Sequence, residues 1–186
     1  MKSIAYFNGK WLPLEKVKIS PLDRGFLFSD GVYEVIPVYN KKPFFLESHI
    51  ERLLNSLKKI SLTINLPIME IVLELIRKNC LENQIIYVQI TRGVAKRNHA
   101  FPKNVSPTVF MMSSLLERPS NDDILTGVSA ITSEDNRWLG CDIKSISLLP
   151  NVLAREKAVK ENCTESILIR DGRVTEGAAS SIWIVR

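Results

Sequence analysis

The apolar residues of this chain fall into short runs punctuated by tight-turn residues, and only three stretches read as helix. That pattern limits the fold more than any single motif does. SIAYF and KWLP flank Asn8-Gly9, a pair whose members both accept positive φ and so marks a hairpin. PLDRGFLFSDG, with two glycines, reads as a shaped loop. VYEVIPVY (32–39) predicts a strand that Asn40-Lys41-Lys42 turns into a second one, PFFLE. Pro37 donates no hydrogen bond, which points to an edge or a bulge. Ser48-x-x-Glu51 predicts a capping box at a helix start, with Ile50, Leu53, Leu54 and Leu57 as its buried stripe and Arg52 off it. Pro67 opens a second helix that runs to about Leu81, with Val72, Leu75 and Ile76 inward.

Strands over 84–92 and 108–116 bracket a basic loop, GVAKRNHAFPKN. Beyond the polar stretch LERPSNDD come a strand, VSAIT, an irregular stretch, EDNRWLGCDIK, and a helix over 150–162. ESILIR and RVTEG then form a hairpin around Asp171-Gly172. Strands and helices do not alternate strictly, so the expectation is an α+β chain in two parts, 1–118 and 119–186. The closing run, SIWIVR, reads as a strand cut short. It carries the expectation that these residues are the front part of a longer protein.

Charge excludes some functions. The net charge of +5 is scattered along 186 residues, without the clustered basic stripe and interleaved aromatics of a nucleic-acid reader. No apolar run approaches the ~18 residues of a membrane span, and the N-terminus has no apolar signal segment. Cys80, Cys141 and Cys163 are odd in number and far apart, and His49 and His99 are the only histidines. No metal site is expected from that spacing. A sparse, odd cysteine set suits a reducing compartment, so the expected location is the cytoplasm.

Five places could carry chemistry. Lys144 stands between Ile143 and Ile146, just ahead of a helix; it reads either as a surface lysine or as a partly desolvated amine able to form a Schiff base. Glu176 in VTEG precedes Gly177, Ala178 and Ala179. It is either an exposed turn carboxylate or one held against a ligand, where a carboxylate keeps a pyridine nitrogen protonated. Arg97 and His99, at i and i+2, share one face if the loop is extended, and a guanidinium fork with an imidazole could grip a carboxylate. A basic loop with a lone histidine remains open. Tyr33 and Arg52 read as a core aromatic and a solvated helix arginine unless context changes them.

Context comes from the order of the segments. DRGFLFSDGVYEV, HIERL, RGVAKRNHAFP, RWLGCDIKSISLLPNVLA and VTEGAASSIW resemble the ordered blocks of the class IV pyridoxal-phosphate aminotransferases. The similarity is greatest to the members that act on D-amino acids. It implies a small N-terminal α/β domain and the first part of a larger pseudo-barrel domain. It also implies that Lys144 forms the Schiff base with pyridoxal 5′-phosphate and moves the proton, that Glu176 pairs with the pyridine nitrogen, and that Arg52 binds the phosphate. Tyr33, Arg97 and His99 match the group that traps the substrate carboxylate, with the Arg–His loop supplied by a neighbouring subunit of a homodimer. The implied reaction moves an amino group between a D-amino acid such as D-alanine and 2-oxoglutarate.

Ser29, Ser147, Ser181 and Trp183 depart from the family pattern. The family's Gly-Ile/Val-Thr-Arg phosphate turn has no counterpart in these residues, so the active protein is expected to include a continuation. Two other readings stand beside the first. One is another class IV member, a branched-chain aminotransferase or aminodeoxychorismate lyase; the other is a catalytically silent binding fragment.

Overall fold

Asn8 and Gly9 take φ of 46° and 85° and close the hairpin of β1 (Ile4–Phe7) and β2 (Lys10–Pro13). The computed structural model describes residues 3–186. Contacts divide the chain into two compact units, the first formed by residues up to Glu117 with Asp142–Ile146, the second by Arg118–Cys141 with Ser147–Arg186. The sequence boundary at 118/119 leaves the Lys144 segment in the second part, whereas the structure packs that segment with the first unit.

In the first unit, β3 (Gly31–Tyr39), β4 (Lys42–Pro43), β5 (Gln84–Thr91) and β6 (Thr108–Leu115) join the hairpin in a six-stranded antiparallel sheet. Its order is β2-β1-β6-β5-β3-β4. The short helix α1 (Arg24–Phe28) interrupts the shaped loop that the sequence predicts. Strand side chains alternate between faces. Val32, Ile36, Val38, Ile86, Val88, Ile90 and Met111 lie on the buried face, in one core with α2 (Leu46–Lys59) and α3 (Ile68–Asn79). Tyr33, Tyr87, Gln89 and Phe110 lie on the other face, half-buried.

β3 carries Pro37 because β4 covers only its last two residues, leaving β3 almost an edge. The second strand is shorter than PFFLE. Phe45 turns the chain with φ 47°, and α2 begins at Leu46 with no side-chain cap. Ser48 and Glu51 therefore lie inside the helix and form no capping box. The earlier start also moves the stripe to Leu46, Ile50, Leu53 and Leu57, so Leu54 is exposed. The second helix follows its pattern, with Val72, Leu75 and Ile76 buried.

In the second unit, β7 (Ala130–Glu134) pairs parallel with β8 (Glu165–Arg170), and α5 (Leu149–Lys160) stands between them in the chain. β9 (Arg173–Gly177) returns antiparallel after Asp171-Gly172. The boundary stretch holds a further helix, α4 (Asn121–Thr126), closed by a Ser120/Asp123 capping box. Residues 181–186 form no strand, contrary to the reading of SIWIVR.

Candidate active site

The segment around Lys144 lies along the free edge of β3. The Tyr33 N–H donates to the Lys144 carbonyl (3.0 Å), and the Ile146 N–H donates to the Gly31 carbonyl (3.2 Å). Val32 faces Ser145 in an antiparallel bridge. That register puts Lys144 opposite Tyr33, and cross-strand neighbours point to the same side. Lys144 Nζ consequently stands 3.2 Å from Tyr33 Oη and 4.3 Å from the ring centroid. Gly31 makes this docking possible, since a Cβ there would lie 2.7 Å from the Ile90 carbonyl oxygen and 3.1 Å from Ile146 Cδ1. The Lys144 N–H donates to Ser56 Oγ, and Lys59 pairs with Asp142, tying the segment to α2. The Lys144 side chain is half-buried.

On the opposite face, the neighbouring residue of β3 is Glu34, a fully buried carboxylate among apolar side chains. Arg52 Nε and an Arg52 terminal nitrogen donate to its two oxygens at 2.5 and 2.8 Å, and His49 Nδ1 lies 2.9 Å from Oε2. Burial pushes the Glu34 carboxyl up, but the bonds from Arg52 and His49 outweigh it and leave Glu34 below the usual carboxylate range. Arg52 is therefore oriented by a fixed anion. The fork uses Nε and one terminal nitrogen, and the side chain remains about half exposed.

Arg97 and His99 come together around Phe28. The Arg97 guanidinium lies 5.2 Å from the Phe28 ring centroid, and the His99 ring centroid is also 5.2 Å away. Both side chains are exposed. Ser29, where the family pattern has glycine, takes φ 54° at the end of α1, so this serine adopts the conformation that glycine reaches without strain.

Glu176, on β9 of the second unit, is half exposed and pairs with an Arg137 terminal nitrogen. Arg137 itself forks onto Asp135 at 2.8 and 2.9 Å. The Thr175 hydroxyl (2.8 Å) and Arg170 (3.1 Å) complete the hold on that carboxylate. The Arg137 bond is the chief cause that holds Asp135 well below the usual range.

Sequence reasoning missed Glu34, His49 and Arg137. A carboxylate at an inward position of Val32-x-Glu34-x-Ile36 was the available signal, because a buried charge demands partners. His49 and Arg52, three apart on one helix, could supply them. Nothing local marked Arg137 as the partner of a residue 39 positions later. Among the described residues, no group of three or more His, Cys, Asp or Glu could hold a metal ion, and no helix is long and apolar enough to cross a membrane.

The fold is that of aminotransferases. The T.th. branched-chain amino acid aminotransferase with pyridoxamine 5′-phosphate superposes with a TM-score of 0.85 at 23% identity, over 96% of this chain and 63% of that one. The Escherichia coli branched-chain enzyme gives 0.83 at 22%, with 96% and 63% covered. Residues 31–186 match the amino-transferase class IV family, and the chain belongs to it. D-alanine aminotransferase of Staphylococcus epidermidis is 45% identical over 97% of this chain. The chain spans 65% of the length of that relative.

Proposed function

We propose that the protein moves an amino group reversibly between a D-amino acid, D-alanine or a close analogue, and 2-oxoglutarate, with pyridoxal 5′-phosphate as cofactor. The observation that carries this is the Lys144 amine on the Tyr33 hydroxyl, on the half-open face of the sheet. Similarity to D-alanine aminotransferase supports the choice of substrate.

In this reading the Lys144 amine serves the cofactor's aldehyde, the half-exposed Arg52 guanidinium its phosphate and the Glu176 carboxylate its ring nitrogen. When bound, pyridoxal phosphate supplies an electron sink for the α-carbon. Lys144 Nζ takes the proton from that carbon and returns it, and Tyr33 Oη holds Nζ in place between the two events. Glu34 keeps Arg52 aimed without making it a bystander charge. Arg137 holds one oxygen of the Glu176 carboxylate and leaves the second available to a ring nitrogen. Arg97 and His99 grip the substrate carboxylate, which selects the face of the α-carbon presented to Lys144.

Homodimer assembly, with the Arg97–His99 loop serving the neighbouring subunit, completes the reading. It is supported by exposed apolar side chains of the first unit such as Phe26 and Phe101. Three free cysteines support a cytoplasmic location.

The test reduces the cofactor-loaded protein with borohydride and locates the label by peptide mass. Label on Lys144 supports the reading; label elsewhere, or none, defeats it. Turnover of D-alanine, L-leucine and aminodeoxychorismate is compared on the same preparation. D-alanine is expected to lead, and a lead for either of the others assigns a different class IV activity.

A further inference from the structure

A buried guanidinium with no part in the proposed chemistry grips the basic loop from inside. Arg24, the first residue of α1, is 3% exposed. Its Nε donates to Asp30 Oδ2 at 2.7 Å. One terminal nitrogen donates to the carbonyls of Asn98 and Ala100, and the other to the His99 carbonyl at 3.4 Å. Three successive carbonyls are turned onto one side chain, while the side chains of Arg97 and His99 stay exposed. Asp30 is in turn held by Arg92 at 2.8 and 3.0 Å. Arg92 also donates to the Ile60 carbonyl at the end of α2 (2.7 Å) and stacks 3.6 Å from the Phe101 centroid. Residues 98–100 are thereby held through their carbonyls, and Phe101 through its ring. Phe28 completes the arrangement, with the Arg24 guanidinium 4.8 Å from the ring that Arg97 and His99 also approach.

We propose that Arg24 is a positioning residue for Arg97 and His99: by holding the carbonyls of residues 98–100, it sets the direction from which the guanidinium and the imidazole meet a carboxylate. The inference rests on the reading of that pair as the carboxylate grip. Its physical core is the planar fork. A lysine at position 24 keeps a cation beside Asp30 but cannot span three carbonyls.

The experiment compares Arg24→Lys and Arg97→Ala in the full chain loaded with pyridoxal phosphate. Arg24→Lys should raise KM for D-alanine and 2-oxoglutarate about tenfold or more while kcat changes less than about threefold. Hydrogen exchange over 97–101 should become faster, and exchange in β5 should not change. Unchanged KM with unchanged loop exchange overturns the proposal. So does a loosened loop with unchanged KM, provided Arg97→Ala raises KM. If Arg97→Ala leaves KM unchanged, the carboxylate-grip reading fails, and the exchange data alone then decide whether Arg24 orders the loop. If Arg24→Lys does not fold, backbone order parameters of the unaltered protein decide. Values near ~0.85 over 97–100 support the inference, and values below ~0.6 overturn it.

Discussion

Lys144 lies opposite Tyr33 across an antiparallel bridge at the edge of β3, so that the amine and the phenol leave the sheet on the same side and meet at 3.2 Å. The main-chain bonds that create this pair do not depend on either side chain. Lys144→Ala should therefore remain folded, with an unchanged melting curve by circular dichroism, and lose about 10³-fold or more of its transamination rate. Tyr33→Phe removes one hydrogen bond to the amine and should cost about tenfold. A melting curve shifted by Lys144→Ala, with activity retained, would contradict this account.

Glu34 should shape the acid side of the stability curve. Its carboxyl holds its proton less tightly in the folded chain than in the unfolded one, whose ordinary value is 4.5. The unfolded state then binds more protons as pH falls, so stability is present in full above that value and lost as pH drops through the folded one. Asp30 contributes in the same direction: burial raises it, and the bonds from Arg92 and Arg24 more than offset that rise. Glu34→Gln should flatten the fall of melting temperature with acid. At neutral pH it should cost about 2 kcal/mol, less than the ~3–5 for a wholly buried pair because the half-exposed Arg52 regains water. The pH series of melting temperatures checks both.

Asp23 anchors the shaped loop to the sheet. One of its oxygens accepts from the Gly25 N–H (2.8 Å) and the Thr91 hydroxyl (2.7 Å), the other from the Thr108 hydroxyl (2.6 Å), and the two hydroxyl bonds are buried. Asp23→Ala strands these donors, and each of the two buried hydroxyls costs about 1–3 kcal/mol without a partner. Chemical denaturation should show a loss of about 3 kcal/mol or more. Asp23→Asn can still accept on one oxygen and should lose less.

Local chemistry made much of this legible. Asn8-Gly9 and Asp171-Gly172 identify their hairpins because positive φ is a property of the turn residues themselves, and the α3 stripe follows from spacing alone. The start of α2 was hidden because Phe45 ends the preceding turn in the left-handed region without any capping side chain to announce it. Ser120 and Asp123 lie in a proline-bearing polar stretch beside the expected boundary, so the short α4 that they cap was not expected. The site divides in the same way. Family motifs mark Lys144, Glu176, Arg97 and His99, whereas Arg24 acts through main-chain carbonyls some 75 positions away, and a carbonyl leaves no trace in a sequence.

Tyr87 lies on the same sheet face as Tyr33, with ring centroids 5.8 Å apart, and its hydroxyl donates to Gln89 Oε1 at 2.7 Å. Burial, with a smaller contribution from Tyr33, pushes its phenol up to about 12. A phenolate at this position would lose water and stand beside the Tyr33 ring. A spectrophotometric titration should therefore show one tyrosine ionising well above the ordinary value of 10.0, absent from Tyr87→Phe. The sign for stability follows: the folded chain keeps this proton where the unfolded chain releases it, so the contribution is whole below 10.0 and disappears as pH rises towards 12. Tyr87→Phe should remove that alkaline loss. At neutral pH it should cost no more than about 1 kcal/mol, since only the Gln89 bond is given up. An unchanged alkaline limb in Tyr87→Phe would mean that the phenol is hydrated in solution, and that this face of the sheet is more open than its rings suggest.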